Sequence, residues 1–200
     1  MARRPADRAV FGEELSTKEK GMALRLENLD ARTRRYMLEE VDRDVAAGTL
    51  YIGRLLNDSG KRDYPGLLKT AIESGNDATL AEALRIGGRF RPAERRRDGS
   101  EPTTRSNAAE MLAEGEFNRF YIRGVCRRAI DDGISEIEVY RARYSENPRD
   151  ESAHLVGKRY VPADVLDDLR ANPGRAPKLG VPPGPNSGLS VRLPPHPGAA

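Results

Sequence analysis

Residues 107–131 read NAAEMLAEGEFNRFYIRGVCRRAID, and their apolar side chains recur at the three- and four-residue spacing of one helix face. These positions are Leu112, Phe117, Phe120, Tyr121, Gly124, Val125 and Ala129. Acidic side chains cluster near the start of the stretch and Arg127 and Arg128 near its end, the distribution that the helix dipole favours. Asn107 and Glu110 have the spacing of a capping box. The stretch therefore predicts a long amphipathic helix.

Two further patterns follow this helix. In residues 136–143, Ile137 and Val139 alternate with polar neighbours, which predicts a half-buried strand. Pro162 then stands at the start of an apolar helical pattern that ends before a second proline. Residues 107–171 are therefore predicted to form a helix-strand-helix segment.

Upstream, residues 30–87 carry three more helical patterns, each closed by glycine. Asp30 is placed to cap the first helix, over residues 31–47. Pro65 occupies the first helical position of the second, and Asp77 is placed to cap the third. The three helices are predicted to pack into a small N-terminal helical unit.

Three stretches lack such periodicity. Residues 1–29 mix charges with scattered apolar side chains and predict a flexible arm, and residues 88–106 form a basic linker. Residues 172–200 hold eight prolines and five glycines, a composition that disfavours a compact fold and predicts an extended tail. The predicted fold class is α+β and helix-rich: the helical unit (30–87) and the helix-strand-helix segment (107–171), with an extended arm and tail.

A short part of the tail has the pattern of a strand. Leu189, Val191 and Leu193 alternate with the polar residues Ser190 and Arg192. Such a strand can add to a sheet edge of its own chain or of a neighbouring subunit. The three apolar residues are therefore candidate partner-binding residues.

The net charge is small, but arginine greatly outnumbers lysine among the basic residues. Of 34 basic residues, 28 are arginines, and the formal net charge is +3. Arginine binds phosphate and carboxylate through paired hydrogen bonds, which suits a nucleic-acid partner, whereas the codon usage of a GC-rich genome explains the same enrichment. The single cysteine, Cys126, excludes an internal disulfide and favours a reducing compartment. Since no apolar run is long enough to span a membrane, the expected location is the cytoplasm or a virion assembled inside the cell.

The sequence shows no catalytic, metal or cofactor motif. His154 and His196 are far apart and, with one cysteine, give no zinc or iron spacing. Cys126 lies among arginines that could activate a thiol, but its place on the helix favours a buried structural residue. Four carboxylates have an order that a metal-dependent nuclease could use, although solvated charge at a turn explains them equally: Asp131, Asp132, Glu136 and Glu138.

Nucleic-acid binding is supported by two groups of arginines. The linker would supply a flexible cationic segment, and the long helix repeats an arginine every four residues beside its apolar stripe. Such a stripe also suits a salt-bridged or oligomer face, and neither a helix-turn-helix nor an aromatic RNA-binding motif accompanies it. The candidate nucleic-acid-binding residues are Arg89, Arg91, Arg95, Arg96 and Arg97 in the linker and Arg119, Arg123 and Arg127 on the helix.

Three phrases of the sequence, residues 112–129, 29–35 and 182–193, together resemble an uncharacterised family of bacterial and phage-like proteins. The resemblance implies a phage or mobile-element context and brings no activity, cofactor or site residue. The layout of the chain favours a non-enzymatic assembly or structural protein, such as a virion-associated component, that packs into a larger complex through the long helix and the tail. Its partners would be protein subunits, copies of itself or others, and no membrane. The alternative is a nucleic-acid-binding accessory protein that holds DNA or RNA with the arginines above.

Overall fold

One central helix organises the fold in the computed structural model of the chain, which describes residues 23–91, 107–143, 153–184 and 187–194. The helices are α1 (Ala31–Ala46), α2 (Asp58–Ser74), α3 (Asp77–Ile86), α4 (Ala108–Asp131) and α5 (Pro162–Ala171). The strands are β1 (Ile137–Arg141), β2 (Arg159–Tyr160) and β3 (Leu189–Arg192). The described part of the chain is α+β and helix-rich.

The central helix α4 packs against α1, α3, α5 and β3. Its apolar stripe, including Phe117, Phe120 and Tyr121, lies in one hydrophobic cluster that also holds residues of α1, α2, α3 and the sheet. Because neighbours cover the helix on several sides, Arg119 and Arg123 are buried as well. The predicted long helix is confirmed as α4, its neighbours cover more than its apolar stripe, and the two predicted segments share one core.

The crossing of α1 and α4 depends on a glycine. A Cβ built on Gly124 would lie 2.8 Å from Cγ of Met37 and 3.0 Å from the carbonyl oxygen of Thr33. The contact with the backbone oxygen is tighter than most real Cβ contacts, and the Met37 side chain would have to move, so a larger residue would strain the crossing. Gly124 thus fixes how closely α1 lies on α4.

The helix starts partly follow the sequence predictions. Asp30 caps α1, since its carboxylate accepts a hydrogen bond from the backbone N–H of Thr33 at 3.0 Å. The capping box predicted for α4 is wrong, because Asn107 has a non-extended backbone and its side chain makes no cap hydrogen bond. Glu110 pairs with Arg85 instead.

The other two starts also differ from prediction. α2 begins seven residues before Pro65, because the side chain of Asn57 caps it at the N–H of Gly60 and the proline is accommodated inside the helix. α3 is capped by Asn76 in a reciprocal box with Thr79. The predicted cap of α3, Asp77, lies inside the helix and accepts the backbone N–H of Leu24.

The three strands form an antiparallel sheet in the order β2-β1-β3. β1 confirms the predicted strand, with Ile137 and Val139 buried against the helices. In β3, Val191 pairs with Val139, so the strand from the tail completes the sheet of its own chain. Within these described residues no helix combines the length and apolar character needed to cross a bilayer.

The tail is more compact than its composition predicted. Leu189 and Val191 are buried in the core, and the half-buried Leu193 donates its backbone N–H to the side chain of Asn28 at 2.9 Å. Val181 is buried as well. In the described residues 172–184 and 187–194, the predicted strand is confirmed as β3, and apolar side chains between the prolines reach the core.

The arm and the linker are described only in part. Residues 23–29 lie against the body, where Leu24 is buried and the N–H of Asn28 donates to the Tyr121 hydroxyl at 3.0 Å. Phe90, in the linker, forms a backbone bridge with Leu56. Residues 1–22 and 92–106 lie outside the described residues.

Candidate functional site

A cavity of about 710 Å³ opens beside the first half of α4. Its wall is built from the loop around Tyr51–Leu55, from α4 itself, and from residues 174–177 and 182–184 of the tail. We call it the α4 cavity. Its volume lies within the roughly 300–1,000 Å³ typical of sites that hold drug-sized ligands.

The buried end of the α4 cavity, its floor, is formed by Glu116 and Arg119. Both residues line the cavity, and they are only 6% and 7% exposed. Oε2 of Glu116 and Nε of Arg119 are buried and lack a hydrogen-bond partner among the described residues. Nε of Arg119 lies 3.8 Å from Oε1 of Glu116, an ion-pair distance too long for a hydrogen bond. Both atoms are enclosed by protein, so other atoms of the two side chains form the surface of the floor.

A third unpartnered polar atom belongs to the same region. The hydroxyl of Tyr64 is fully buried and has no hydrogen-bond partner in the described part of the chain. Burial, with the nearby charge of Glu116, raises the pKa of Tyr64 well above its ordinary value, so the phenol stays neutral. Because buried polar atoms are normally satisfied, these three atoms mark a region of the core with unmet hydrogen-bonding capacity.

The floor also has unusual acid-base behaviour. Burial raises the pKa of Glu116 to about 7, and the charge of Asp44 acts in the same direction. The guanidiniums of Arg119 and Arg123 oppose the effect without cancelling it. Below neutral pH, Glu116 is therefore a neutral carboxyl group that can donate as well as accept a hydrogen bond.

Arg119 is held in place by the tail. Its two terminal nitrogens donate to the carbonyl oxygens of Asn172 at 3.0 Å and Arg175 at 2.6 Å, with a weaker bond to Leu169. Leu169 belongs to the last turn of α5, where a helix leaves its carbonyls unpaired, and Asn172 and Arg175 follow the helix end. The side chain of Arg119 is thus fixed between α4 and the tail.

The walls of the α4 cavity are largely apolar. Besides Leu112 and Phe90 they include Tyr51, whose ring lies directly on Gly174, where an added Cβ would approach the ring to 2.0 Å. Gly174 has φ +64, a backbone conformation that glycine adopts without strain. A glycine thus lets an aromatic ring lie flat against the tail.

The exposed end of the α4 cavity, its mouth, carries two arginines. Arg54 and Arg175 line the cavity, are exposed, and make no ion pair with any described residue. By contrast the buried Glu114, which also lines the cavity, accepts a hydrogen bond from Arg143 at 2.6 Å. The mouth therefore attracts negative charge.

A buried ionic network lies between α1 and α4. Arg123, 1% exposed, donates to Glu40 at 2.6 Å and to Asp44 at 2.6 Å. Arg127 and Arg170 also bind Glu40. Burial alone would raise the pKa of Glu40, but the surrounding guanidiniums outweigh it and hold the pKa at about 2. This network ties α1, α4 and α5 together and pairs Arg123, Arg127 and Arg170 with acidic side chains.

The predicted nucleic-acid residues are thus dispersed. Arg119, Arg123 and Arg127 are occupied by protein groups, and Arg89 binds Asp63 at 2.9 Å. Arg91 is exposed at the edge of the described residues. Three of the candidates lie outside the described residues: Arg95, Arg96 and Arg97.

The carboxylates considered for a nuclease site are each engaged by other protein groups, and Arg159 contacts both Glu136 and Glu138. Asp131 binds the Tyr36 hydroxyl, Asp132 binds Arg32, Glu136 pairs with Arg159, and Glu138 pairs with Arg192. Across the described ranges no three His, Cys, Asp or Glu side chains lie close enough together to hold a metal ion.

Two residues were considered for other chemistry, and they differ in solvent exposure. Cys126 is fully buried, and burial raises the pKa of its thiol, which fits the predicted structural role. His154 is exposed.

Sequence reasoning missed the α4 cavity. Glu116 and Arg119 stand next to the aromatic residues of the helix, and that juxtaposition was the available signal. Comparison with protein-family models, with curated proteins and with solved structures finds no match. The function of the chain must therefore be inferred from the arrangement of its side chains.

Proposed function

We propose that this chain is a non-enzymatic binding protein that holds one small organic ligand in the α4 cavity. The observation that carries the proposal is the α4 cavity itself, about 710 Å³ in volume, whose apolar and aromatic walls lie beside the two exposed arginines Arg54 and Arg175. Apolar walls above the floor supply the contact area.

An anionic aromatic dye, anilinonaphthalene sulfonate, tests the proposal directly. Ala176 is exposed and lines the α4 cavity, so Ala176→Trp would fill the mouth with little strain on the core. Ala46 is exposed at the end of α1, away from the cavity, and Ala46→Trp is the matched control. We expect the dye to bind the full chain and the control in a one-to-one complex, and Ala176→Trp to lose that binding.

Two results would overturn the proposal. The first is a folded full chain that does not enhance dye fluorescence, and the second is equal binding by the two tryptophan variants. Circular dichroism of each variant establishes that it is folded, since a partly unfolded protein also binds this dye.

The roles predicted from the sequence remain predictions. The assembly role loses the surface first assigned to it, because Leu189 and Val191 are internal. The nucleic-acid role loses Arg119, Arg123 and Arg127, which are engaged within the fold. Light scattering after size exclusion tests the first role, and salt-dependent retention on DNA or RNA tests the second.

A further inference from the structure

From the same cavity we infer a ligand class: the α4 cavity takes a hydrophobic carboxylate, whose apolar body fills the interior and whose carboxylate stays at the mouth. This inference rests on the proposed function. Two observations carry it. The polar side chains of α4 that line the interior are already engaged by other protein groups or enclosed by them, whereas the arginines of the mouth form no ion pair with a described residue.

The polar side chains along α4 have little hydrogen-bonding capacity left for a ligand. Asn118 donates its side-chain amide to the carbonyl oxygen of Leu189 at 2.8 Å and accepts the hydroxyl of Ser190 at 2.6 Å. Glu114 accepts a hydrogen bond from Arg143 at 2.6 Å. A hydroxyl or amide group of a ligand placed beside them would lose its hydrogen bonds to water without gaining equivalent ones.

The floor is engaged in a similar way. The terminal nitrogens of Arg119 donate to carbonyl oxygens of the tail, and its Nε is enclosed by protein. Oε2 of Glu116 is enclosed as well, which places it out of reach of a ligand. Burial raises the pKa of Glu116 to about 7, so below neutral pH this carboxyl group adds no negative charge to the floor. Apolar atoms of a ligand can therefore lie against the floor without breaking any of these hydrogen bonds.

The remaining walls supply apolar contact. Tyr51, Leu55, Phe90 and Pro177 line the α4 cavity, and Leu112 lines it from the side of the helix. Burying one CH₂ group of a ligand against such walls raises its affinity roughly threefold to fourfold. The affinity of a series of ligands with growing chains should rise by this factor until the cavity is full.

The mouth supplies positive charge where the interior ends. Arg54 and Arg175 line the α4 cavity, are exposed, and make no ion pair within the described ranges. A guanidinium binds a carboxylate through paired hydrogen bonds. One guanidinium suffices for one carboxylate, so either arginine can hold it while the apolar body of the ligand occupies the interior.

Other ligand chemistries fit less well. A sugar or a nucleoside carries several polar groups, which the engaged side chains of Glu114, Asn118 and Arg119 would leave without partners. An organic cation would meet two arginines at the mouth. A neutral hydrocarbon would fill the interior but leave the charge of the mouth unused. A molecule with one apolar body and one anionic end matches both the interior and the mouth.

Isothermal titration calorimetry of the full chain tests the inference with hexanoate, octanoate and decanoate, each below its micellar concentration. We expect one-to-one binding whose affinity rises roughly tenfold for every two added CH₂ groups. 1-Octanol has the chain length of octanoate without its charge, and it should bind roughly fivefold or more weakly. Binding of 2-naphthoate would support the same class with an aromatic body in place of a chain.

Matched variants locate the two ends of the ligand. Arg54→Gln and Arg175→Gln together are expected to weaken octanoate roughly fivefold or more and to leave 1-octanol unchanged, and each single variant shows which arginine holds the carboxylate. The control pair, Arg43→Gln and Arg62→Gln, removes the same charge from exposed positions that do not line the cavity and should change neither ligand. Ala176→Trp should lose both ligands.

Failure of the inference differs from failure of the proposed function. If the dye binds in the α4 cavity but no carboxylate does, the ligand class is wrong and the binding site stands. The same holds if affinity does not rise with chain length, or if 1-octanol binds as tightly as octanoate. If neither dye nor carboxylate binds, both are wrong. Equal weakening of octanoate in the two double-arginine variants would also contradict the class, since it would show a nonspecific charge effect.

Discussion

Replacing Glu116 with glutamine removes a carboxyl group whose ionisation near neutral pH opposes folding. In the folded chain the pKa of Glu116 is about 7, raised by burial from an ordinary value of 4.5. Glutamine has nearly the same shape and stays neutral at every pH. The substitution thus keeps the packing of α4 and removes one titration.

The sign and size of the effect follow from the two pKa values. Between pH 4.5 and about pH 7 the folded chain keeps a proton on Glu116 that the unfolded chain has released, so stability falls as pH rises through this window. At about 1.4 kcal/mol per pH unit, the difference amounts to about 3 kcal/mol. Above pH 7, the free energy of unfolding of Glu116→Gln should therefore exceed that of the natural chain by about 3 kcal/mol. Near pH 4.5 the two free energies should be equal.

Urea denaturation followed by circular dichroism, between roughly pH 5 and pH 8, measures this difference. Burial also raises the pKa of Asp77, to about 6, and that titration adds a slope common to both proteins. Glu73 is exposed on α2 and provides the control Glu73→Gln. A plot of its free energy of unfolding against pH should run parallel to that of the natural chain. If the plot for Glu116→Gln also runs parallel to that of the natural chain, Glu116 ionises as in water and the described floor is not buried.

Three further substitutions test the packing, each by urea denaturation. Arg123→Met leaves the buried Asp44 without its ion-pair partner and removes one of the three arginines around Glu40, and it should cost about 3–5 kcal/mol; less than about 1 kcal/mol would show that the network is hydrated. Gly124→Ala should cost about 1–3 kcal/mol through its clash with α1, whereas Gly66→Ala, with open space around it on α2, should be neutral or stabilising. Leu189→Ala should cost about 2–5 kcal/mol because the residue is internal, whereas the exposed Leu55→Ala should cost little; equal costs would contradict the placement of β3.

Local patterns in the sequence predicted the elements that depend on local physics. The apolar spacing of residues 107–131 marked α4, the alternation around Ile137 and Val139 marked β1, and Asp30 marked the start of α1. Each of these depends on contacts within a few residues of chain or on a single buried face. The helix-rich α+β class followed from them.

The failures have longer-range causes. Arg123 looked like part of an exposed stripe, because nothing in its own helix reveals that Glu40 and Asp44, about eighty positions earlier, would enclose it. The tail was expected to be extended from its prolines, but the few apolar residues between them reach the core. The α4 cavity was missed for the same reason, since its floor, walls and mouth come from segments far apart in the chain.

The placement of β3 also bears on how the chain is made. Residues near the two ends of the described part meet directly, for Leu193 bonds to Asn28 across 165 positions and Arg192 pairs with Glu27. Contacts this distant in sequence slow folding, because a long loop must close before they form. During synthesis the apolar side of α4 facing β3 stays uncovered until residue 191 has left the ribosome, so the nascent protein is open to aggregation and to chaperones throughout that interval.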